Sequence, residues 1–546
     1  MYREIIEKIK KGEIKNRDDL DKEKRKLSGE LGRKSFIRNS EILRHARAGE
    51  RQQILKILQK KPTRTLSGVA VVAAMTKPSP CPHGRCKYCP GGPKINVPQS
   101  YTGKEPATRR AIRYSYDPYL QVTFRLNQLS EIGHPVSKVD LIVMGGTLTA
   151  QCIDYQEFFV KECLRAMNDF TDNQGIIQEN GEKKFIAWHE KKKTEGEFHY
   201  LGDVQKKNER STVRCVGITF EPRPDWAKKE EINRMLGFGV TRVEIGVQSP
   251  FDFIYYRVNR GHTVQDVMDA TEQLKDSGLK VGYHMMPGIL GYRPELDLRA
   301  FEKIFNDDRF RPDMLKIYPC IILKGTEYYE MWKAGKFRAI TTEEAVDLIV
   351  KVKEMMPPWI RTMRIMRDIP SPLIEAGVKA SNLGELVYRR MSEEGIKCRC
   401  IRCREVGRFI SKGIKPEIDN IELVRRSYRA SSGDEIFLSF EDTERDILVG
   451  FLRLRIPHKP FRPEIDEKTS LVRELHVYGP MVEVGEKPEY EWQHKGYGRD
   501  LLMEAERISG EEFDMKKISV TSGIGTRRYY QKFDYRKRGP YMQKTI

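Results

Sequence analysis

From residue 118 onward, helical stretches alternate with short β-branched runs, and that alternation restricts the possible folds more than any other feature of the chain. PYLQVTFRLNQLSEIG precedes the strand VDLIVMGG, RCVGITFE precedes the helix EEINRMLGFG, and TRVEIGVQS, TVQDVMDATEQLKDSG and KVGYHMMPG continue as strand, helix and strand. The last helix carries Val264, Val267, Met268 and Leu274 on one face, and Gly278 stands where a C-terminal cap would end it. RPDMLKIYP and IRTMRIMRD supply further strands around the helix TTEEAVDLIVKVKEMM. Serial βα units require a parallel sheet or barrel whose chemistry lies at the C-terminal strand ends. Residues 171–212, polar and rich in Lys, Glu and Gly, read as an insertion.

After about residue 411 the order changes. EIFLSF, DILVGFLRLRI and LVRELHVYG read as antiparallel strands, a helix opens at Gly498, and KISVTSG, the helix TRRYYQKF and a final strand complete a second, α+β unit. A chain of 546 residues is longer than one core usually organises, so several domains are expected. There is no apolar run of about eighteen residues, and the N-terminus MYREIIEKIKKGEIK lacks the apolar core of a secretory signal. The expected place is the cytoplasm, with no membrane partner.

A net charge of +20 and a pI near 9.3 point to a polyanion, because Lys and Arg gain affinity for phosphates by releasing counterions. Residues 1–70 hold 20 Lys+Arg against 10 Asp+Glu, half of the chain's excess in about an eighth of its length. Ile5, Ile6 and Ile9, and Ile54, Leu55, Ile57 and Leu58, predict amphipathic helices with a basic outer face.

Cys81, Cys86 and Cys89 lie in CPHGRCKYCPGG, a Pro- and Gly-rich loop directly after the apolar run GVAVVAAM. Three readings compete. A disulfide pairs two thiols, not three, and is rare in the cytosol. Structural zinc wants four ligands, of which His83 is the one histidine inside the loop. Three thiolates on a 4Fe–4S cubane leave one iron free for a substrate, which suits a catalytic cluster on a βα barrel. A second group, Cys398, Cys400 and Cys403 in CRCIRC, is spaced for zinc, with Cys320 of KIYPCIIL as the candidate fourth ligand, since Cys152, Cys163 and Cys215 sit in segments that read as core.

Three clustered cysteines at the end of a first strand, followed by MGGT, resemble the radical S-adenosylmethionine superfamily, although the first gap is one residue longer than usual there. SYTGKEPATRRAIRYSYDP, VDLIVMGGT, GITFEPRPD, EIGVQS, HMMPG and KIYP narrow the resemblance, over nearly the whole chain, to the Elongator catalytic-subunit family. The fold class it implies is α/β: a partial (βα) barrel of radical S-adenosylmethionine type, a basic helical N-terminal segment and a C-terminal α+β acetyltransferase domain of GNAT type. The expected divisions are 1–75 for the tRNA-binding segment, 76–390 for the barrel, 391–410 for a zinc-binding linker and 411–546 for the acetyltransferase domain.

The resemblance also implies cofactors and partners. They are a 4Fe–4S cluster, S-adenosylmethionine, acetyl-coenzyme A and zinc, with the anticodon region of tRNA as substrate and either a homodimer or Elongator-like accessory subunits as protein partners. Gly145 and Gly146 end a strand where backbone can approach the methionyl amine, Glu221 and Glu244 are read as ending the next strands to meet ribose or amine, Arg223 is assigned the carboxylate, and Gln248 is a neutral donor beside them. The turn QHKGYG, with Gln493, Lys495, Gly496, Tyr497, Gly498 and then Arg499, offers backbone N–H groups and a helix N-terminus to a pyrophosphate. In the resembling family Glu474, Leu475, His476 and Val477 correspond to a splayed strand pairing with pantetheine, Tyr529 and Tyr530 to the tyrosine near the thioester, and Lys138 to a lysine near acetyl-coenzyme A. Lys316 and Tyr318 are assigned to the thioester or the base.

The implied reaction cleaves S-adenosylmethionine to a 5′-deoxyadenosyl radical that takes hydrogen from the acetyl methyl. The carbon radical adds to C5 of the wobble uridine, and thioester hydrolysis leaves a carboxymethyl group. A protein lysine acetyltransferase with a structural iron–sulfur barrel is the alternative. The basic chain disfavours it, because it would repel Lys-rich tails.

Overall fold

Seven β-branched runs pair side by side, all parallel, in a computed structural model that describes residues 2–30, 37–59, 65, 67–194, 199–478 and 496–546. They are β1 (Ala70–Met75), β2 (Lys138–Met144), β3 (Arg214–Phe220), β4 (Arg242–Gln248), β5 (Lys280–Met285), β6 (Met314–Ile317) and β8 (Arg361–Ile365), in that spatial order. A short antiparallel pair, β7 (Ile322–Leu323) and β9 (Ile374–Ala376), sits beside them. Because β1 and β8 are edges, the barrel is partial and its lumen opens sideways between them.

The alternation of side chains along a strand explains its contents. Val139, Leu141 and Val143 of β2, Val243, Ile245 and Val247 of β4, and Val281, Tyr283 and Met285 of β5 belong to one buried core with the surrounding helices. The intervening residues Lys138, Asp140, Arg242, Glu244 and Lys280 line the lumen. The barrel is therefore apolar outside its strands and charged within.

The stretch read as an insertion is instead packed helix. Phe170–Thr194, kinked at Gly181, packs on the helices Pro118–Glu131 and Ile153–Asn168, Leu201–Asn208 packs on the latter, and Phe185 is fully buried in the main core. At the N-terminus Ile5, Ile6, Ile9, Ile54 and Leu58 bury against one another as a separate core. Part of the basic surface there is neutralised, since Arg3 pairs with Glu50, Lys8 with Glu23 and Arg44 with Glu131, and Lys24 is buried against Asn39.

The C-terminal unit is a second seven-stranded sheet of β10 (Ile421–Ala430), β11 (Gly433–Asp442), β12 (Ile447–Ile456), β13 (Thr469–Val477), β14 (Lys517–Val520), β16 (Tyr541–Thr545) and β15 (Arg536–Arg538). The sequence pattern missed β10, whose IELVRRSYRA has too few apolar residues to read as a strand because one face meets solvent. β13 and β14 are the parallel pair, joined over Thr469–Val472 and Lys517–Val520, after which β13 runs on to Val477 past the end of β14.

This sheet docks on the N-terminal ends of the barrel strands through buried charges. Asp313, immediately before β6, accepts from both Arg473 nitrogens at 2.6 and 2.7 Å, while Arg455 donates to Asp276 at 2.6 Å and to Glu435 at 2.9 Å. Burial alone would raise the Asp313 pKa, but Arg473, Lys275 and Arg453 outweigh it and hold the carboxyl well below its usual range. Its contribution is thus present above the unfolded carboxylate range and lost as pH falls through the lower folded value. Arg473→Met removes the nearest of the three cations around Asp313 and leaves Lys275 at 3.4 Å and Arg453 at 3.7 Å to offset only part of the buried charge, and urea unfolding at neutral pH is expected to show a loss of up to about 3–5 kcal/mol.

Candidate active site

Cys81, Cys86 and Cys89 follow β1 on a loop that the turn after β4 supports: Lys87 N–H donates to Val258 O at 3.1 Å, and the Asn259 amide donates to Arg85 O at 2.9 Å. Cys86 and Cys89 are buried. Arg260 Nη1 lies 3.7 Å and His83 Nε2 3.1 Å from Cys86 Sγ, and Ser100 Oγ lies 3.3 Å from Cys89 Sγ. Burial raises the Cys81 and Cys89 thiol pKa values, so they shed protons when a metal replaces them. Around the loop, His83 Nδ1, Tyr88 Oη, Tyr255 Oη and both His262 ring nitrogens are buried without a partner. Three thiols ringed by N–H and O–H donors and a guanidinium are a donor set that fits an anionic iron–sulfur cluster.

The strand ends beside the loop hold the glycines. Gly145 has φ +107°, and a Cβ there would lie 2.8 Å from Thr76 Oγ1, so only glycine lets β2 end against β1; Gly146 follows at φ +58°. Gln248 ends β4 at φ +68°, a conformation non-glycine residues seldom adopt. Two assignments at this end change. Arg223 is buried and committed, with Nε and Nη2 each 2.9 Å from the Asp225 carboxylate and Nη1 donating to Arg260 O at 2.6 Å. Glu244 does not end its strand; it is the third residue of β4 and faces the lumen.

There it joins a group the sequence had divided between binding and catalysis. Lys316 Nζ donates to Glu221 at 2.7 Å and also pairs with Glu244; His284 Nε2 lies 3.1 Å from Glu244, whose other oxygen accepts from Arg242 at 3.0 Å. Tyr318 meets the His284 ring edge-on at 5.5 Å. Burial would lower the Lys316 pKa and raise that of Glu244, but their mutual attraction wins for both, so the lysine stays charged and the carboxylate ionised. His284 and Arg242 escaped the sequence reading. Their signal was the two-residue spacing Lys280, Gly282, His284 and Arg242, Glu244, which places charged side chains on the lumen face.

One cavity of about 2610 Å³ runs from Glu221, Lys316 and Tyr318 past Lys138, Arg214 and Lys280 at the lower strand ends to Glu474, Leu475, His476 and Val477 on the extension of β13. It continues to Gly496, Gly498, Arg499 and Tyr529. Burial, with Arg214 beside it, lowers the Lys138 pKa, and burial near Arg361 brings His476 down to about 4, so that ring is neutral at pH 7. The helix here opens at Tyr497, one residue earlier than expected, with Gly496 as left-handed cap at φ +90°. A Cβ on Gly498 would meet the Tyr529 hydroxyl at 2.8 Å. Both tyrosines line this cavity, Tyr529 half-exposed and Tyr530 buried with its ring also packed in the second core. Gln493 and Lys495 lie outside the described residues.

Cys398, Cys400 and Cys403 converge, their sulfurs within 4.8 Å of one another. Cys320 does not join them. It packs with Cys86, Tyr328 and Phe337 in a different apolar cluster, because the chain after β6 turns toward the first cysteine loop. Cys163 and Cys215 are buried as expected, but Cys152 is exposed.

Three family models match the chain: the ELP3 N-terminal domain at residues 1–66, the Radical SAM superfamily at 77–298 and the Radical_SAM C-terminal domain at 312–393. A relative from Methanocaldococcus infernus named tRNA uridine(34) acetyltransferase is 51% identical, covering 100% of this chain and 99% of its own. The human protein named Elongator complex protein 3 is 41% identical over 100% of this chain and 96% of its own. The solved structure of archaeal Methanocaldococcus infernus Elp3 lacking N-terminal residues superposes with a TM-score of 0.74 at 48% identity, covering 88% of this chain and 100% of that one.

Proposed function

We propose a function from one premise: the chain belongs to the radical SAM family that comprises the tRNA uridine(34) acetyltransferases and Elongator complex protein 3. It is a transferase that carboxymethylates the wobble uridine of tRNA at C5, drawing the two-carbon unit from acetyl-coenzyme A. The observation that carries this reading is the single cavity that joins the Glu221–Lys316–Tyr318 group to the Gly496–Arg499 turn, because chemistry split between two cofactors needs one space in which their reacting atoms meet.

Within it the chain's own groups divide the work. Cys81, Cys86 and Cys89 would hold a 4Fe–4S cluster, which with S-adenosylmethionine supplies one-electron hydrogen abstraction. Gly145, Gly146 and Gln248, at the strand ends beside that loop, would border bound S-adenosylmethionine. The turn from Gly496 to Arg499 offers backbone N–H groups and a guanidinium to the phosphates of acetyl-coenzyme A. Residues Glu474 to Val477 present an edge for pantetheine, and Tyr529 faces the thioester. The ionised Glu221–Lys316–Glu244 group orients donors toward the carbonyl and base while His284 and Tyr318 close around it. Arg110, Arg125 and Arg364, which line the same cavity, favour a flipped-out base on a polyanion. The trio Cys398, Cys400 and Cys403 would hold zinc next to this wall.

Reconstituted protein given tRNA, S-adenosylmethionine, a reductant and acetyl-coenzyme A is expected to yield 5-carboxymethyluridine by nucleoside mass spectrometry. Acetylated lysine on protein substrates with unmodified tRNA would instead favour the protein acetyltransferase reading.

A further inference from the structure

Lys353 is the last but one residue of the helix Thr342–Glu354 and is completely buried. Among the described residues no carboxylate pairs with it. Its ammonium donates to Thr362 Oγ1 at 3.0 Å and to Cys400 Sγ at 3.1 Å, and stands 5.4 Å from the centre of the Tyr388 ring. Thr362 Oγ1 is itself 3.4 Å from Cys400 Sγ. A buried ammonium needs its N–H groups satisfied, and the acceptors within reach here are the Thr362 hydroxyl, the Cys400 sulfur and the face of the Tyr388 ring.

We propose that Lys353 is the positioning residue of the three-cysteine centre: its N–H···S bond orients the Cys400 sulfur toward a metal bound by Cys398, Cys400 and Cys403, and its charge faces that of the metal-bound thiolates. This rests on the zinc reading of that trio and deepens it. Three thiolates around a divalent ion carry one net negative charge, and one ammonium beside them makes the buried assembly neutral. Partners of this kind orient the ligand sulfur and lower its energy, and their loss typically weakens metal affinity 10–100-fold.

The test compares the full-length wild type with Lys353→Met and Lys353→Gln by zinc competition against a chromogenic chelator and by the sulfur-to-cobalt absorption band of the cobalt-loaded proteins. Methionine is expected to weaken zinc binding 10–100-fold and move the band to longer wavelength, with glutamine, a neutral donor, in between, while thermal unfolding of the metal-free proteins stays unchanged. A wild type that takes up no zinc overturns the metal site itself. Equal zinc affinity in all three proteins overturns the role of Lys353, as does an equal loss of stability with and without metal, which would make the lysine merely structural. Should the methionine variant fail to fold, the glutamine variant carries the same comparison.

Discussion

Cys86→Ser is expected to give a folded, colourless protein that releases no 5′-deoxyadenosine and makes no modified uridine. Cys86 is the middle ligand of the loop, 4% exposed, and the cysteine of that loop that both Arg260 and His83 approach. Serine would offer a poor, protonated oxygen among groups arranged for a soft anion, and two thiolates do not hold a cluster that needs cysteine at each protein-ligated iron. Iron should fall from about four per chain to background, with turnover below detection. Zinc should be retained, because the Cys398 trio is held by the helix Ile401–Arg404 and Lys353, away from this loop. The measurement is iron, sulfide and zinc content beside the visible spectrum of anaerobically reconstituted protein; a brown serine variant with full iron would put the cluster elsewhere.

How much of this was legible in the sequence depends on the range of the interaction. The βα series and the cysteine loop are local patterns: two-residue alternation in KVDLIVM fixes which face of β2 is apolar, and a proline- and glycine-rich loop after a strand is visible without tertiary contacts. Pairings set by distant segments were not legible. Glu221 and Lys316 are 95 positions apart, yet 2.7 Å separates their side chains, so nothing in either stretch indicates that the binding and catalytic assignments belong to one group. Arg223 was assigned to a substrate carboxylate, whereas its guanidinium pairs with Asp225 two residues on, a contact that depends on the turn geometry after β3.

The cavity makes the strongest demand on the proposed chemistry, since its two ends lie at opposite ends of the barrel strands. β2 runs seven residues from Lys138 to Met144, which at about 3.3 Å per residue is roughly 20 Å, comparable to the reach of a pantetheine arm. On the proposed reading the acetyl group enters the lumen from below while its nucleotide stays on the Gly496–Arg499 turn. With acetyl-coenzyme A deuterated on the methyl, the 5′-deoxyadenosine released in the presence of tRNA is expected to carry deuterium. Ile142 lines the lumen midway along β2. Ile142→Trp should therefore leave S-adenosylmethionine cleavage and acetyl-coenzyme A binding in place while cutting deuterium transfer by at least about tenfold, because a displacement of even 1 Å from the reacting geometry can cost about a hundredfold. Tyr529→Phe and Tyr530→Phe should each lower product at the coenzyme A end, and Tyr530→Phe should also reduce stability because its ring packs in the second core. Unlabelled 5′-deoxyadenosine formed alongside carboxymethylated uridine would rule out abstraction from the acetyl methyl. Full deuterium transfer in Ile142→Trp would mean that the two sites meet by a route other than the barrel lumen.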